Sequence, residues 1–382
     1  MWFAFVSLSI GIVCIVYAAA ILIYRYWYLQ LKPFQIPATY QPKTRFSVIV
    51  PARNEAAHIT HCVKCILQQN YPADLFELIV IDDHSEDNTA KLVQALQQVH
   101  PNLKLISLQE ELGGVYLNSY KKKAIEIAIG YATGDWIITT DADCQMGTQW
   151  LQHYDAMIQA KNPVFIAAPV DFITDGSTLA NFQKIDFMGL QGVTAGAVYA
   201  GFHSMCNGAN LGYLKTAFHE AGGYIDIDRI ASGDDMLLMH KIKKLYPKRM
   251  AFLFAQEAIV RTHPMPDWKS FINQRIRWAS KADKYTDKSI FYVLAVVYLF
   301  NLSLLVMPLI SIWQHDLFWL WLSCMLIKSL AEYSFAVHLC QFFGYRISIK
   351  LWYFPFQHIA YTVIAGWLGK FGTYQWKGRK VK

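Results

Sequence analysis

The chain has 382 residues, 54% of them hydrophobic, 15% aromatic and 16% charged, with a formal net charge of +7. That is too apolar for an ordinary soluble protein and too charged for one embedded throughout in lipid, which leaves a membrane protein with a soluble part. The basic residues form no single patch and crowd the segments flanking the apolar runs, so membrane lipid is the expected partner and nucleic acid is not.

Residues 1–24 carry no Asp, Glu, Lys or Arg and are long enough to cross a bilayer. Arg25 and Lys32 follow this run instead of preceding it, the opposite polarity to a cleaved signal, so 1–29 reads as an uncleaved transmembrane anchor. Together with Lys43 and Arg45 they put the next domain, 45–280, in the cytoplasm, as expected for a bacterial inner-membrane protein. Seven scattered cysteines fit a reducing compartment. His58, Cys62 and Cys65 in HITHCVKC form a lone CxxC on a helix and read as ordinary packing.

From Arg45 the pattern alternates. RFSVIVPARNE is a strand ending at a proline, AAHITHCVKCILQQ has helical spacing, and FELIVIDDHSEDNT is a strand ending in acids. A helix AKLVQALQQVH, a strand LKLISL, a helix KKKAIEIAIGYA and a strand DWIITTDAD follow. Strands separated by helices of this length predict an α/β fold with a doubly wound, mainly parallel sheet, here flanked by transmembrane helices. Ligands on such sheets sit at the carboxyl ends of strands. Pro51 to Glu55, Asp82 with Asp83, and Asp141 with Asp143 occupy three such ends. CNGANLGYL, with Asn207, Gly208 and Asn210, reads as a small-residue bend, and Gly222 and Gly223 as a turn.

No GxxxxGK[ST] or GxGxxG follows a strand, which argues against a phosphate loop or a dinucleotide site. Carboxylates converging on one crevice need neutralising, and Mg²⁺ or Mn²⁺ is the natural cofactor, its shell completed by substrate phosphates and water.

The C-terminal region, 289–369, is again membrane-like. One apolar span near 290–312 is followed by a second near 317–340, in which Lys328 and Glu332, four apart, can neutralise each other. A third apolar segment, 351–369, contains Pro355 and precedes a basic tail, 370–382, with Lys377, Arg379, Lys380 and Lys382. A full crossing would put that tail outside against the charge rule, so a re-entrant or interfacial segment competes with a third span.

VIVPARNE, VIDDHSEDNT, TTDAD, GDD at 233–235 and QRIRW at 274–278, in this order, resemble a membrane-bound family 2 glycosyltransferase. The resemblance covers roughly residues 45–280. It implies a GT-A fold, a nucleotide-diphosphate sugar donor (UDP before GDP), a divalent metal and inversion at the anomeric carbon. Asp143 is then the first choice of metal ligand, with Asp141 beside it on metal or donor ribose. Pro51, Ala52, Glu55, Asp82 and Asp83 resemble the base-and-ribose pocket, and the run Lys121 to Lys123, represented by Lys123, would bring a cation to the diphosphate. Asp235 is the expected base, with Asp234 holding the acceptor or tuning its neighbour, where the family more often has Glu before the Asp. Asn207 and Gly208 would let backbone approach the sugar. Gln274, Arg277 and Trp278 would line the diphosphate and the acceptor entrance, although an interfacial helix anchored by its Trp is also in keeping with QRIRW.

The expected function is transfer of one sugar to a lipid, lipid-linked or saccharide acceptor at the cytoplasmic membrane face. QRIRW also fits a processive polysaccharide synthase, but few membrane helices are present to enclose a polymer channel. A non-catalytic nucleotide-binding scaffold is disfavoured because every acidic position is kept.

Overall fold

The computed structural model describes residues 2–381 apart from 115, 116, 118, 204, 231, 232, 286, 347–353, 373, 377 and 378. In chain order its elements begin with α1 (Trp2–Leu29), β1 (Phe46–Ala52), α2 (Ile59–Leu67), β2 (Phe76–Asp82), α3 (Thr89–Gln97), β3 (Leu103–Ser107), α4 (Leu108–Leu112), α5 (Tyr120–Tyr131) and β4 (Trp136–Thr139). They continue with β5 (Gln145–Met146), α6 (Trp150–Lys161), β6 (Phe165–Ala167), β7 (Val170–Phe172), α7 (Thr178–Ala200), β8 (Leu211–Leu214), α8 (Lys215–Glu220), α9 (Met236–Leu245), β9 (Met250–Phe252) and β10 (Val260–Thr262). The last group is α10 (Trp268–Ala279), α11 (Lys288–Ile310), α12 (Asp316–Phe342), α13 (Phe354–Phe371), β11 (Tyr374–Trp376) and β12 (Arg379–Val381).

The chain divides into two compact units, one formed by residues 31–173 and 198–263, the other by residues 1–30, 174–197 and 264–382. The sheet domain expected over 45–280 is thus shorter at its end and interrupted: 174–197, most of α7, and 264–280, with α10, belong to the helical unit.

The α/β unit is built on a seven-stranded sheet in the order β3-β2-β1-β4-β8-β6-β9. β1, β2, β3 and β4 run parallel, β8 is antiparallel to both its neighbours, and β6 pairs parallel with β9. All seven residues of β2 are buried, as are Phe46 to Val50 of β1, because helices cover both faces of a parallel sheet and leave no polar side for alternation. At the amino ends Glu77 is buried and accepts the Ser47 hydroxyl at 2.6 Å, the Lys104 ammonium at 2.7 Å and the Thr133 hydroxyl at 2.7 Å, which ties β1, β2, β3 and the segment leading into β4 together. A second, three-stranded sheet has the order β5-β10-β7.

The helical unit contains α1, α11 and α12, the three helices among the described residues that are long and apolar enough to cross a membrane. The third expected segment is α13, 18 residues long, which is not among them. Residues 351–353 of that segment, and Lys377 and Lys382 of the basic tail, lie outside the described residues; Arg379 and Lys380 fall in β12 of a short hairpin. α7 joins this unit through small residues. A Cβ on Gly192 would enter the Leu339 side chain of α12, and one on Gly196 would stand 2.9 Å from the Tyr24 carbonyl of α1, so the GxxxG spacing permits close helix contact. The Arg25 guanidinium donates to the Ser334 carbonyl at 3.1 Å, and Lys328 pairs with Glu332.

Candidate active site

In the α/β unit β4 stops short of the carboxyl end of β1. β1 pairs with β4 only from Phe46 to Ile49, whereas its pairing with β2 continues to Ala52. Pro51, which has no N–H to donate, therefore lies where β4 has already ended. The Thr140 amide still donates to the Ile49 carbonyl at 3.3 Å; the chain then turns through Asp141 to Cys144, whose amide donates to the Asp141 carbonyl at 3.1 Å.

On the β1–β2 side the loop after Ala52 is held by its neighbour. The amides of Asn54, Glu55 and Ala56 donate to Ser85 Oγ at 2.9 Å, Thr89 Oγ1 at 2.8 Å and Asp87 Oδ2 at 3.0 Å. These bonds keep residues 53–58 out of the helix, which starts at Ile59 and not at Ala56 as the periodicity predicts. Asp83 is engaged: its carboxylate meets His84 Nδ1 at 2.9 Å and Arg53 at 3.8 Å. Asp82 is buried and accepts the Ser85 amide at 3.2 Å through Oδ2, while its Oδ1 has no hydrogen-bond partner among the described residues. A buried carboxylate oxygen without a donor is costly, so Asp82 is the member of the pair that offers an open acceptor.

The three lysines at the start of α5 have three different surroundings, since successive helical residues point about 100° apart. Lys121 Nζ donates to Asp141 Oδ1 at 2.8 Å and lies 3.1 Å from Asp234 Oδ2. Lys122 is buried and donates to the carbonyls of Ile227 and Ile230 at 2.7 and 2.6 Å. Lys123 pairs with Glu126 at 2.8 Å on the half-exposed side. The lysine at the acids is therefore Lys121, a correction to Lys123. Its position had a signal: Ala124, Ile125 and Ala128, three, four and seven residues on, are the buried face of α5. Burial opposes the Lys121 charge, but Asp141, Asp234 and Asp235 outweigh it and hold its pKa above that of an ordinary lysine.

Gly208 sits inside this group. Its amide donates to Asp235 Oδ2 at 3.1 Å, and a Cβ there would stand 3.2 Å from Asp234 Oδ2 and 3.4 Å from Lys121 Nζ. Asn207 shapes the bend, its Oδ1 accepting the Ala209 amide at 2.9 Å. Asn210 is a buried joint, accepting from Trp150 at 3.0 Å and Tyr154 at 2.9 Å and donating to the Pro169 and Ala258 carbonyls, both at 2.8 Å. Asp235 caps α9, its Oδ1 taking the Met236 amide at 2.7 Å.

Asp143 accepts the Thr262 hydroxyl at 2.9 Å on one oxygen and, among the described residues, meets the Cys144 thiol at 3.8 Å on the other. That oxygen is free enough to accept a hard cation, and one ammonium does not balance Asp141, Asp143, Asp234 and Asp235. Among the described residues no three His, Cys, Asp or Glu groups could hold an ion together, so the acids fit Mg²⁺ or Mn²⁺ only with donor phosphates and water in the shell. Cys62 is fully buried and donates to the Asp141 carbonyl at 3.5 Å, and Cys65 meets His61 at 3.6 Å.

Gln274, Arg277 and Trp278 lie on α10, in the helical unit. Gln274 Oε1 is buried with no hydrogen-bond partner among the described residues, and Arg277 is half-buried. The arginine between them, Arg275, is buried and pairs with Asp186 of α7 at 2.7 Å, a partner 89 residues away that no local spacing announces.

A model described as Glycosyl transferase family 2 matches residues 47–221, and one described as Glycosyl transferase family group 2 matches residues 136–368, more than half of the chain. Glycosyltransferase AglE of Haloferax volcanii is 28% identical over 135 residues, which cover 35% of this chain and 42% of that protein. Probable glycosyltransferase YdaM of Bacillus subtilis is 24% identical over 240 residues, covering 62% of this chain and 54% of its own. The chain thus spans about half the length of these curated relatives. The mannosyltransferase PcManGT of Pyrobaculum calidifontis, solved with GDP-Man and Mn²⁺, superposes with a TM-score of 0.61 at 19% identity, covering 94% of this chain and 98% of that one, a likeness of fold. Motifs, GT-A-like architecture and matching models agree: the chain belongs to the family 2 glycosyltransferases.

Proposed function

We propose that the protein is an inverting, metal-dependent transferase that moves one sugar from a UDP-sugar to a lipid, lipid-linked or saccharide acceptor at the cytoplasmic face of a bacterial inner membrane. The observation that carries this reading is the knot around Lys121, where Asp141 at one strand end meets Asp234 and, through Gly208, Asp235. Donor-side and acceptor-side acids thereby share one small space, as a single displacement requires.

In this reading the unpartnered Oδ1 of Asp82 accepts an N–H of the donor base, with Pro51, Ala52, Glu55 and Asp83 shaping the pocket around it. Asp143, with Asp141, would hold the divalent ion, which when bound neutralises charge developing on the departing diphosphate. Lys121 adds a fixed positive charge beside Asp141. Asp235 removes the acceptor hydroxyl proton; its two backbone N–H bonds set the carboxylate's direction before the acceptor arrives. Asp234, held by Lys121, limits the repulsion between the adjacent carboxylates. Gln274, Arg277 and Trp278 keep the diphosphate and acceptor roles that the family resemblance implies. Arg25 in the last turns of α1, and Lys32, Lys43 and Arg45 after it, support the cytoplasmic orientation.

The test is nucleotide release by the detergent-purified chain over a panel of UDP- and GDP-sugars, with Mn²⁺, Mg²⁺ or chelator and with native lipid extract as acceptor. Release from one donor, lost with chelator and in Asp143→Ala, is the expected result. Nucleotide binding with no release from any donor would move the reading to the scaffold. Long product on a gel would instead indicate a processive synthase.

A further inference from the structure

The helical unit holds a second concentration of charge, buried among its helices. Lys328 of α12 is fully buried; its ammonium bonds Glu332 and donates to the Tyr17 hydroxyl of α1 at 3.1 Å, and Tyr17 bonds Glu332 in turn. The same ammonium lies 3.4 Å from His358 Nδ1 of α13, whose other ring nitrogen is 3.9 Å from Asp186 of α7. Asp186 accepts the Tyr361 hydroxyl at 2.5 Å on that same oxygen and Arg275 Nη2 at 2.7 Å on the other. A continuous series of polar side chains therefore joins α1, α12, α13, α7 and α10.

Lys328 and Arg275 face Glu332 and Asp186, so the series is balanced with His358 neutral and has no surplus charge with which to bind an ion. Its end is specific. The Arg275 Cζ lies 4.2 Å from the centre of the Trp278 ring and 4.7 Å from that of Phe271, with Tyr361 at 5.8 Å, and its Nε and Nη1 make no hydrogen bond among the described residues. An arginine so enclosed is not available to grip a phosphate. It offers a flat cation against which an indole ring is oriented.

We propose that Asp186 and Arg275 are positioning residues of the transfer reaction: Asp186, steered by Tyr361 and His358, fixes the guanidinium plane of Arg275, and that plane fixes the ring of Trp278. The inference rests on the acceptor role given to Trp278 above. Misplacement of a group by about 1 Å costs on the order of 10²-fold in rate, so the contact is large enough to matter to turnover without touching substrate.

The experiment uses the full chain in nanodiscs and compares wild type, Asp186→Asn and Arg275→Lys. Native lipid extract serves as acceptor, and acceptor-independent release from the donor is measured beside lipid-stimulated release. Both variants are expected to lose lipid-stimulated release by about 10²-fold while donor KM and acceptor-independent release hold. Amide exchange within α10 should rise in both. Arg275→Lys keeps the charge but removes the guanidinium plane and its Nη2 donor to Asp186, so wild-type behaviour of that variant overturns the proposal even if Asp186→Asn fails to fold. Equal loss of both kinds of release would also overturn it, leaving a merely structural pair. If the wild type were silent with every donor, the transferase reading would fail, and unchanged α10 exchange in the variants would separately refute the hold of Asp186 on Arg275.

Discussion

Lys121 is bonded to Asp141 and lies within an ion pair's reach of Asp234, and it is the residue whose replacement best separates a working site from a charged surface. In Lys121→Met two partly buried carboxylates lose their counter-charge, and we expect kcat to fall on the order of 10²-fold. Lys123→Met, which loses only a surface pair with Glu126, should stay within about twofold of wild type because exposed pairs contribute little. Equal effects in steady-state release assays would refute the distinction. For Asp235→Asn the expected outcome is loss of transfer with donor affinity nearly intact, read by nucleotide-binding calorimetry beside turnover. The amide can still cap α9 through its oxygen, so the helix should survive a change that removes the base.

The amino ends of β1, β2 and β3 depend on Glu77. Burial opposes its ionisation, yet the Lys104 ammonium, the Ser47 and Thr133 hydroxyls and the Thr133 amide pull its pKa down to about 2. A carboxyl lowered on folding contributes stability that is fully present above its unfolded value, about 4.3, and is lost as pH falls towards its folded value. The contribution is on the order of 3 kcal/mol. Glu77→Gln should therefore be less stable than wild type at pH 7 by about 1–3 kcal/mol, with the gap shrinking as pH falls from about 4.5 towards 2. A gap that stayed constant over that window, measured by denaturant unfolding, would exclude Glu77 as its source. Elsewhere the local pattern and the observed elements differ in a consistent way. α2 starts three residues late because side chains from the β2–α3 loop and the first residue of α3 take the backbone amides that a longer helix would use.

For the molecule as a whole, the helices α1, α11 and α12 are long and apolar enough to cross a membrane, and stable insertion is the expected outcome. After alkaline carbonate washing the protein should stay with the membrane pellet, whereas a chain held by its basic segments alone would be released. The two units interleave along the chain: the segment carrying α7 leaves the sheet after Ile173, packs its GxxxG face against α1 and α12, and the chain then re-enters the α/β unit. Nothing in the local composition of α7 marks it for this. Its apolar content is equally suited to the core of an α/β domain, and only the close approach of Leu339 and the Tyr24 backbone explains the glycines.

The amino-acid sequence alone determined the parallel α/β class, the family and the main apolar spans, because strand and helix periodicity, motif order and uninterrupted hydrophobic length are local properties that survive without knowledge of contacts. It also singled out Asp141, Asp143, Asp234 and Asp235 as acids of interest. Tertiary structure decided which neighbours each one has. Lys121 in place of Lys123, Asp82 with an open oxygen beside an engaged Asp83, and Arg275 buried against Asp186 all follow from segments distant in sequence meeting at hydrogen-bond range. Hydrogen bonds and ion pairs act over a few ångströms in space and are indifferent to separation along the chain, so residue spacing could name the charges but could not pair them.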